Sequence, residues 1–330
     1  IDAAGDFRIS LRFLKLLWPP NVFRAISFLV EYMSFPIASP NPMRPLPEDF
    51  GKPIPKEFCG TVYFPTMKLQ LFKDMARAAG NGTTINDIIL LCLSIALGRY
   101  FDKRGKYEDV HGIRLILPIA NPLRPSLYGD KYHGLCNRMT PVIVPLPITY
   151  AKECEFSSVF HEIQAYMSKV KKSNTPLFLT CVGSIINSLI PLEKVAQSAK
   201  LAFQSASCVY SNVPGPAQTI SISPPTLSTK SYHYTVRSIQ TVLPHPVSIF
   251  QILSYNGKLM LNITLDTRSA TQSWLLRSSF VDAVKCVADW TGVSGTHEDD
   301  KTSNYYWNDE LAGLETSTEW GGNNSVFTCG

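Results

Sequence analysis

The residue pairs in this chain whose types can do chemistry are polar and unspectacular. Asn86-Asp87 stands immediately before the apolar run Ile88 to Leu97, and Ser211-Asn212 stands immediately before Pro214-Gly215-Pro216. Asn137-Arg138 follows Cys136 in a third polar patch. Side-chain amides and hydroxyls placed this way can hold a carbonyl oxygen or stabilise an oxyanion. They can also do purely structural work. At the start of a buried helix Asn86 can cap free N–H groups and Asp87 can meet the positive end of the helix dipole. Ser211 and Asn212 can be scaffolding for a bend that Pro214 and Gly215 force on a strand. For Asn86, Asp87, Ser211 and Asn212 both readings stay open at this level.

A base or metal site is harder to find. The six histidines, at 111, 133, 161, 233, 245 and 297, have no Asp four residues downstream, so the H-x-x-x-D arrangement of an acyltransferase base is not in this chain. There is no G-x-S-x-G elbow, no G-x-x-x-x-G-K-[ST] phosphate loop, no G-x-G-x-x-G and no H-E-x-x-H. His133 and Cys136 have a ligand-like interval but no second pair, so no metal is expected. The eight cysteines are far apart, without a C-x-x-C pair, and read as reduced thiols facing the cytosol.

The elements that must position these residues follow from periodicity. A strand is expected over 60–65, then an amphipathic helix from Thr66 with Leu69, Phe72, Met75, Ala76 and Ala79 on one face and Gly80 as its stop. The run beginning at Ile88 is apolar all round, which requires a buried central helix. Strands are expected over 113–119 and 139–146, a helix over 155–172, and two apolar helices between Pro176 and Phe203. The chain then turns to strands at CVYSNV, 232–242, 247–255 and 259–266, the last two joined by Asn256-Gly257 in hairpin-turn chemistry. A helix over 274–290 closes the domain. The fold class is therefore mixed α/β, a mixed sheet with packed helices.

Composition agrees with a packed domain. Of 330 residues 45% are hydrophobic and 17% charged, with a mean hydropathy of +0.02, which excludes disordered, collagen-like and coiled-coil classes. The longest apolar run is about half of the roughly 20 residues that a spanning helix needs, so membrane contact should be peripheral. Charge is uneven. The stretch 295–330 holds Glu298, Asp299, Asp300, Asp309, Glu310, Glu315 and Glu319 against Lys301 alone, so the rest of the chain is more basic than the formal +5 of the whole. A basic body suits anionic lipid headgroups or a phosphorylated ligand; dispersed Lys and Arg without a binding motif argue against nucleic acid. The segment 7–35, aromatic-rich with Arg8, Arg12, Lys15 and Arg24, can lie on a membrane surface or pack between domains. The organisation expected is a segment 1–55 ending in a proline-dense crossover, a domain over 56–292, and an acidic, disordered tail over 293–330.

Several blocks together resemble the wax ester synthase/diacylglycerol acyltransferase family. Thr84-Ile85-Asn86-Asp87-Ile88-Ile89-Leu90 with Ala96-Leu97-Gly98-Arg99-Tyr100-Phe101 is similar to that family's Asn-Asp helix. Leu117-Pro118 to Leu123-Arg124-Pro125, Cys136-Asn137-Arg138 and Val144-Pro145-Leu146-Pro147 are similar to later blocks. Most specific are Ser211-Asn212-Val213-Pro214-Gly215-Pro216 and Ser254-Tyr255-Asn256-Gly257-Lys258-Leu259, with Asp266 downstream. The resemblance implies the C-terminal half of a coenzyme A-dependent, chloramphenicol acetyltransferase-like acyltransferase, two related α/β halves with a substrate tunnel between them. It implies O-acylation of diacylglycerol or a long-chain alcohol by acyl-CoA, which is a substrate, with no resident cofactor. The family's base lies in an HHxxxDG motif that this sequence lacks. The expectation is thus a catalytically incomplete fragment whose first 55 residues are the tail of the missing half, working on a cytosol-facing membrane or lipid-droplet surface. The alternative is a non-catalytic lipid-binding or membrane-associated module of the same descent.

Overall fold

A computed structural model describes residues 43, 59–104, 112–120, 139–149, 156–172, 191, 193–194, 206–222, 234–239, 241, 248–266 and 273–293. The expectations for segment 7–35, for the helices between 176 and 203, for the acidic tail and for Asn137 and Arg138 fall outside these residues.

The element order is β1 (Cys59–Tyr63), β2 (Met67–Lys68), α1 (Leu69–Ala79), α2 (Ile85–Arg104), β3 (Gly112–Ala120), β4 (Met139–Pro147), α3 (Phe156–Lys172), β5 (Cys208–Pro214), β6 (Ser221–Ile222), β7 (Tyr234–Thr235), β8 (Ser248–Tyr255), β9 (Lys258–Asp266) and α4 (Ser273–Trp290). The main sheet runs β1-β9-β8-β5-β3-β4, with β2 also on β9. Strand β5 is parallel to β3 and β8, and the other main pairings are antiparallel, so the sheet is mixed as its sequence pattern requires.

One face of the sheet carries the helices. Leu115, Leu117, Val142, Val144, Tyr210, Phe250, Ile252, Leu261 and Ile263 point into a core shared with Leu71, Phe72 and Met75 of α1, Phe156, Phe160 and Ile163 of α3, and Leu276, Phe280 and Val284 of α4. Helix α2 runs through that core, buried from Asp87 through Gly98. Strand alternation sends the neighbouring residues Ile116, Ile143, Val209 and Ile249 to the opposite face, where they form a second, smaller cluster. The outer strand β4 has Pro141, Pro145 and Pro147 at alternate positions. Proline cannot donate to a ladder, so these positions blunt a sheet edge without harming the β3 pairing.

Two elements differ from the sequence pattern. The first helix begins at Leu69 and not at Thr66, because Met67 and Lys68 pair with Leu259 and Lys258 of β9 first. The stretch 232–242 is not one strand: among its described residues, 234–239 and 241, only Tyr234–Thr235 is strand, paired with Ser221–Ile222 as a separate two-stranded ribbon. Just beyond the ribbon the Val236 carbonyl accepts the Tyr255 hydroxyl (2.7 Å), and that hydroxyl also accepts the Ile220 N–H (2.8 Å). A side chain of the main sheet thus takes the bond that a further ladder partner would have used.

The β8–β9 turn is as its sequence requires, with Asn256 at φ 47° and Gly257 at φ 71°. Gly215 is needed for another reason. A Cβ there would lie 2.2 Å from the Ser254 backbone oxygen, whereas at Gly257 no atom lies within 4 Å. Gly215→Ala should therefore cost about 3 kcal/mol, since backbone must move to admit the methyl group. Gly257→Asn should cost about 1 kcal/mol or less, since asparagine tolerates the left-handed region. Urea denaturation of both variants checks this, and equal losses would contradict it.

Candidate functional site

The site begins where α2 begins. A helix start leaves four backbone N–H groups without intrahelical partners, and here the start is half-buried from Thr83 to Asn86. Thr84 and Asp87 close it reciprocally. Asp87 Oδ2 accepts both the Thr84 backbone N–H and its hydroxyl, each at 2.8 Å, and the Thr84 carbonyl accepts the N–H groups of Asp87 (3.0 Å) and Ile88 (3.3 Å). The bond from the Thr84 N–H to the Asp87 carboxylate is one half of a capping box, with Asp in the place of Glu. The preceding turn is tied to α3, since Gln164 Nε2 donates to Thr83 Oγ1 at 2.8 Å and the Thr83 hydroxyl donates to the Gly80 carbonyl.

Asp87 is only 3% exposed. Its second oxygen, Oδ1, makes no hydrogen bond but lies 3.5 Å from Lys171 Nζ at the end of α3; Lys171 also donates to Thr84 Oγ1 at 3.2 Å. The ammonium is half in solvent, so the pairing is weak. Together with the helix dipole it is the favourable electrostatics at this carboxylate.

Asn86 does something different from the capping expected of it. Thr84 and Asp87 bond to each other across the helix start, and the Asn86 side chain turns towards β5. Its Oδ1 accepts from the Tyr210 hydroxyl at 3.2 Å and from Asn212 Nδ2 at 2.5 Å. Burial, with Asp87 nearby as a lesser cause, pushes the Tyr210 phenol well above its ordinary range, so it stays a protonated donor. With the Tyr210 hydroxyl and Asn212 Nδ2 both donating, the facing Asn86 atom is the carbonyl oxygen. Both lone pairs of Oδ1 are then used, while the Asn86 side-chain N–H groups, the second Asn212 N–H and the Asn212 Oδ1 have no partner among the described residues. Asn86 and Asn212 are half-buried, so these spare groups sit at a rim that solvent or a ligand can reach. What they offer is clear: N–H donors for a carbonyl or oxyanion, and one acceptor for a hydroxyl.

Among the sequence-predicted residues, Asn86, Asp87 and Asn212 are brought together. Ser211 is not with them. It belongs to the opposite face of β5, in register with Gln251 of β8, which in turn pairs with Asn262. Pro214 and Gly215 end β5, and Gly215 N–H donates to Ser254 Oγ at 3.3 Å. Asn256 and Gly257 form the hairpin turn, with the Asn256 N–H bonded to the Pro216 carbonyl at 3.0 Å. Asn137 and Arg138 lie outside the described residues. Tyr210, Thr84 and Lys171 are site residues that the pair-by-pair reading passed over. Tyr210 carried a signal, because it stands two residues before Asn212 and so shares its face. Lys171 carried none. The one histidine among the described residues, His161, is exposed on α3.

Comparison with known proteins adds to this geometry. Residues 135–287 match the profile of the WS/DGAT C-terminal domain. No curated protein sequence matches the chain. Among solved structures, the chain is similar to trichothecene 15-O-acetyltransferase TRI3 from Fusarium sporotrichioides, at 15% identity and TM-score 0.50, over 78% of this chain and 51% of that one. It is similar to the epimerization domain from the third module of tyrocidine synthetase B, at 10% identity and TM-score 0.50, over 82% and 56%. A wax ester synthase/diacylglycerol acyltransferase from Marinobacter aquaeolei VT8 also matches, at 12% identity and TM-score 0.47, over 83% and 56%. The fold is thus the one this chain shares with that acetyltransferase and that epimerization domain. The chain spans about half the length of these structures.

The cap can be tested by itself. Asp87→Ala removes the carboxylate from the helix start and should cost roughly 1–2 kcal/mol, whereas Asp87→Asn keeps an oxygen for the Thr84 N–H and should cost less than about 1 kcal/mol. Chemical denaturation that gives the two variants equal stability would show that the carboxylate is not what holds this end of α2.

Proposed function

With residues 135–287 carrying a WS/DGAT C-terminal domain, we propose that this chain takes part in O-acyl transfer from a fatty acyl-CoA to diacylglycerol or a long-chain alcohol. The observation that carries the reading is the Asn86–Asn212 amide pair, fixed by Tyr210 and left with spare N–H donors at a half-open rim. In this reaction the acceptor hydroxyl oxygen attacks the thioester carbonyl carbon, a base takes its proton, the C–O bond forms, the C–S bond breaks, and coenzyme A leaves as its thiol. Charge gathers on the former carbonyl oxygen in between. Preorganised amide N–H groups are suited to that charge, and the Asn212 Oδ1 is suited to the acceptor hydroxyl.

The base must come from elsewhere than this rim. Tyr210 is held as a neutral donor, and Asp87 is committed to Thr84 and Lys171. An alcohol needs a positioned base, typically worth about 10²–10⁴ in rate. We assign that role to an HHxxxDG histidine on a second acyltransferase half, meeting this one across a substrate tunnel at a cytosol-facing membrane or lipid-droplet surface. The same commitment of Asp87 and Tyr210 favours a second reading, a lipid-binding module without catalysis.

An assay with labelled acyl-CoA and either hexadecanol or diacylglycerol separates these. The 330-residue chain alone should form no ester, and activity should appear when a separately made half bearing HHxxxDG is added. Asn212→Ala should then lower the rate by about 10²-fold at equal folded fraction. Ester made by the chain alone would place the base among His111, His133, His233 and His245; no ester even after complementation would leave the lipid-binding reading.

A further inference from the structure

Two lysines face each other at one corner of the main sheet. Lys68 of β2 and Lys258 of β9 are direct partners in an antiparallel pairing, so their side chains leave the sheet on the same side with Cβ atoms about 5 Å apart. Both are half-buried, which limits how far water and salt can screen them. Like charges directly opposite each other repel and cost stability. The start of α1 adds to the same field. Lys68 is its N-cap residue, no side chain caps it, and no acidic residue stands in its first turn, so the positive end of the helix dipole lies beside the two ammonium groups.

A third cation belongs to this corner. Lys258 is also the cross-strand partner of Tyr255, whose hydroxyl donates to the Val236 carbonyl at 2.7 Å. Arg237 is the next residue, and it is exposed. Asp74, on the second turn of α1, accepts from Gln70 at 2.8 Å and from Arg77 at 2.7 Å, and Asp266 stands at the opposite end of β9. From Lys194 to Leu265 the sequence has no acidic residue. A chain that sets two lysines against each other, with a helix start and an arginine alongside, holds a place where an anion turns repulsion into shared attraction. Phosphate is the anion that fits. It is compact, offers oxygens to both ammonium groups at once, and pairs well with a guanidinium. A ligand with a second phosphate can add Arg237 to the two lysines.

We propose that Lys68, Lys258 and Arg237 bind the phosphates of a small soluble ligand, at a site separate from the Asn86–Asn212 rim. Strand register sets the two apart. Asn212 is in line with Ile252 and Leu261, two strands away from β9 and three residues along it from Lys258, which at ordinary sheet spacings is about 14 Å. A ligand that reached both would need a long arm between its phosphates and its reacting group. Coenzyme A has that form, whereas pyrophosphate offers the anion alone; a diphosphate is the chemistry they share. The proposal stands whether or not the chain transfers acyl groups.

Calorimetric titration of the full 330-residue chain with pyrophosphate, 3′,5′-ADP, coenzyme A and pantetheine tests this. The three phosphorylated compounds should bind, compete with one another and bind more weakly as salt rises, and pantetheine should not bind. Lys258→Gln and Arg237→Gln should each weaken pyrophosphate binding by about tenfold. Lys285→Gln, at an exposed lysine of α4, should change nothing. Without ligand, Lys258→Gln should melt no lower than the parent, because it relieves the repulsion, yet it should lose most of the rise in melting temperature that pyrophosphate gives the parent. The proposal is overturned if no phosphorylated compound binds, if pantetheine binds as tightly as coenzyme A, or if Lys258→Gln binds as the parent does. It is equally overturned if Lys285→Gln is impaired to the same degree, or if Lys258→Gln melts lower without ligand. Displacement of pyrophosphate by phosphatidylserine-containing vesicles would also overturn it, since the occupant would then be a lipid headgroup.

Discussion

Helix α2 has no polar side along its middle, so from Asp87 to Gly98 it must be covered all round. The rest of the domain follows from that. The sheet face presents Leu115, Val144, Tyr210 and Ile252, and α1, α3 and α4 close the remaining sides. The beginning of α2 is only half-buried from Thr83 to Asn86, and free N–H groups there still need partners. The Thr84–Asp87 box answers this within four residues, and Lys171 and Gln164 of α3 hold the same corner from outside. Asp87 takes the capping role at the Thr84 N–H, and the Asn86 side chain reaches β5 instead. The polar rim is thus a consequence of how a buried apolar helix is allowed to start.

Strand geometry then divides the labour along β5. Tyr210 and Asn212 face the helix and Asn86, while Val209, Ser211 and Val213 belong to the other side. A mechanism that needs the Ser211 hydroxyl and the Asn212 amide on one carbonyl is therefore incompatible with an ordinary strand at this point. Of the two oxyanion candidates in the motif, Asn212 is the one joined to a second amide. Ser211 lies in register with Gln251 and Asn262, and Asn262 Nδ2 is bonded to the Thr241 carbonyl at 2.7 Å.

Much of this was legible from residue order, because periodicity and turn chemistry are local. The apolar run after Asp87, the alternation in CVYSNV, and Asn256-Gly257 each determine their element with little outside help. The misreadings share a cause of the opposite kind. Asn86 looked like a cap because nothing in its neighbourhood shows that Tyr210 and Asn212, more than a hundred residues later, would take its oxygen. Met67 and Lys68 read as the first turn of a helix because their partners on β9 are equally distant. The stretch 232–242 had the composition of a strand, but beyond Thr235 the pairing stops at the Val236 N–H to Ile220 carbonyl bond, where the Tyr255 hydroxyl intervenes. Where one partner of a bond lies far off in the chain, residue type constrains it weakly; where both lie within a turn, residue type nearly decides it.

The Pro-Gly-Pro bend joins the rim to the β6–β7 ribbon. Asn212 is three residues before Gly215, and Gly215 is pressed against the Ser254 carbonyl so closely that it has no room for a methyl group. Its N–H goes to Ser254 Oγ, the Asn256 N–H returns to the Pro216 carbonyl, and Tyr255 between them anchors Ile220 and Val236. Three consecutive residues of β8 and its turn therefore fix both where β5 stops and where the ribbon departs. The amide rim and the exposed Ile222–Tyr234 pair are in consequence held by one piece of backbone. A displacement of Ser254 or Tyr255 would be felt at Asn212 on one side and at the ribbon on the other.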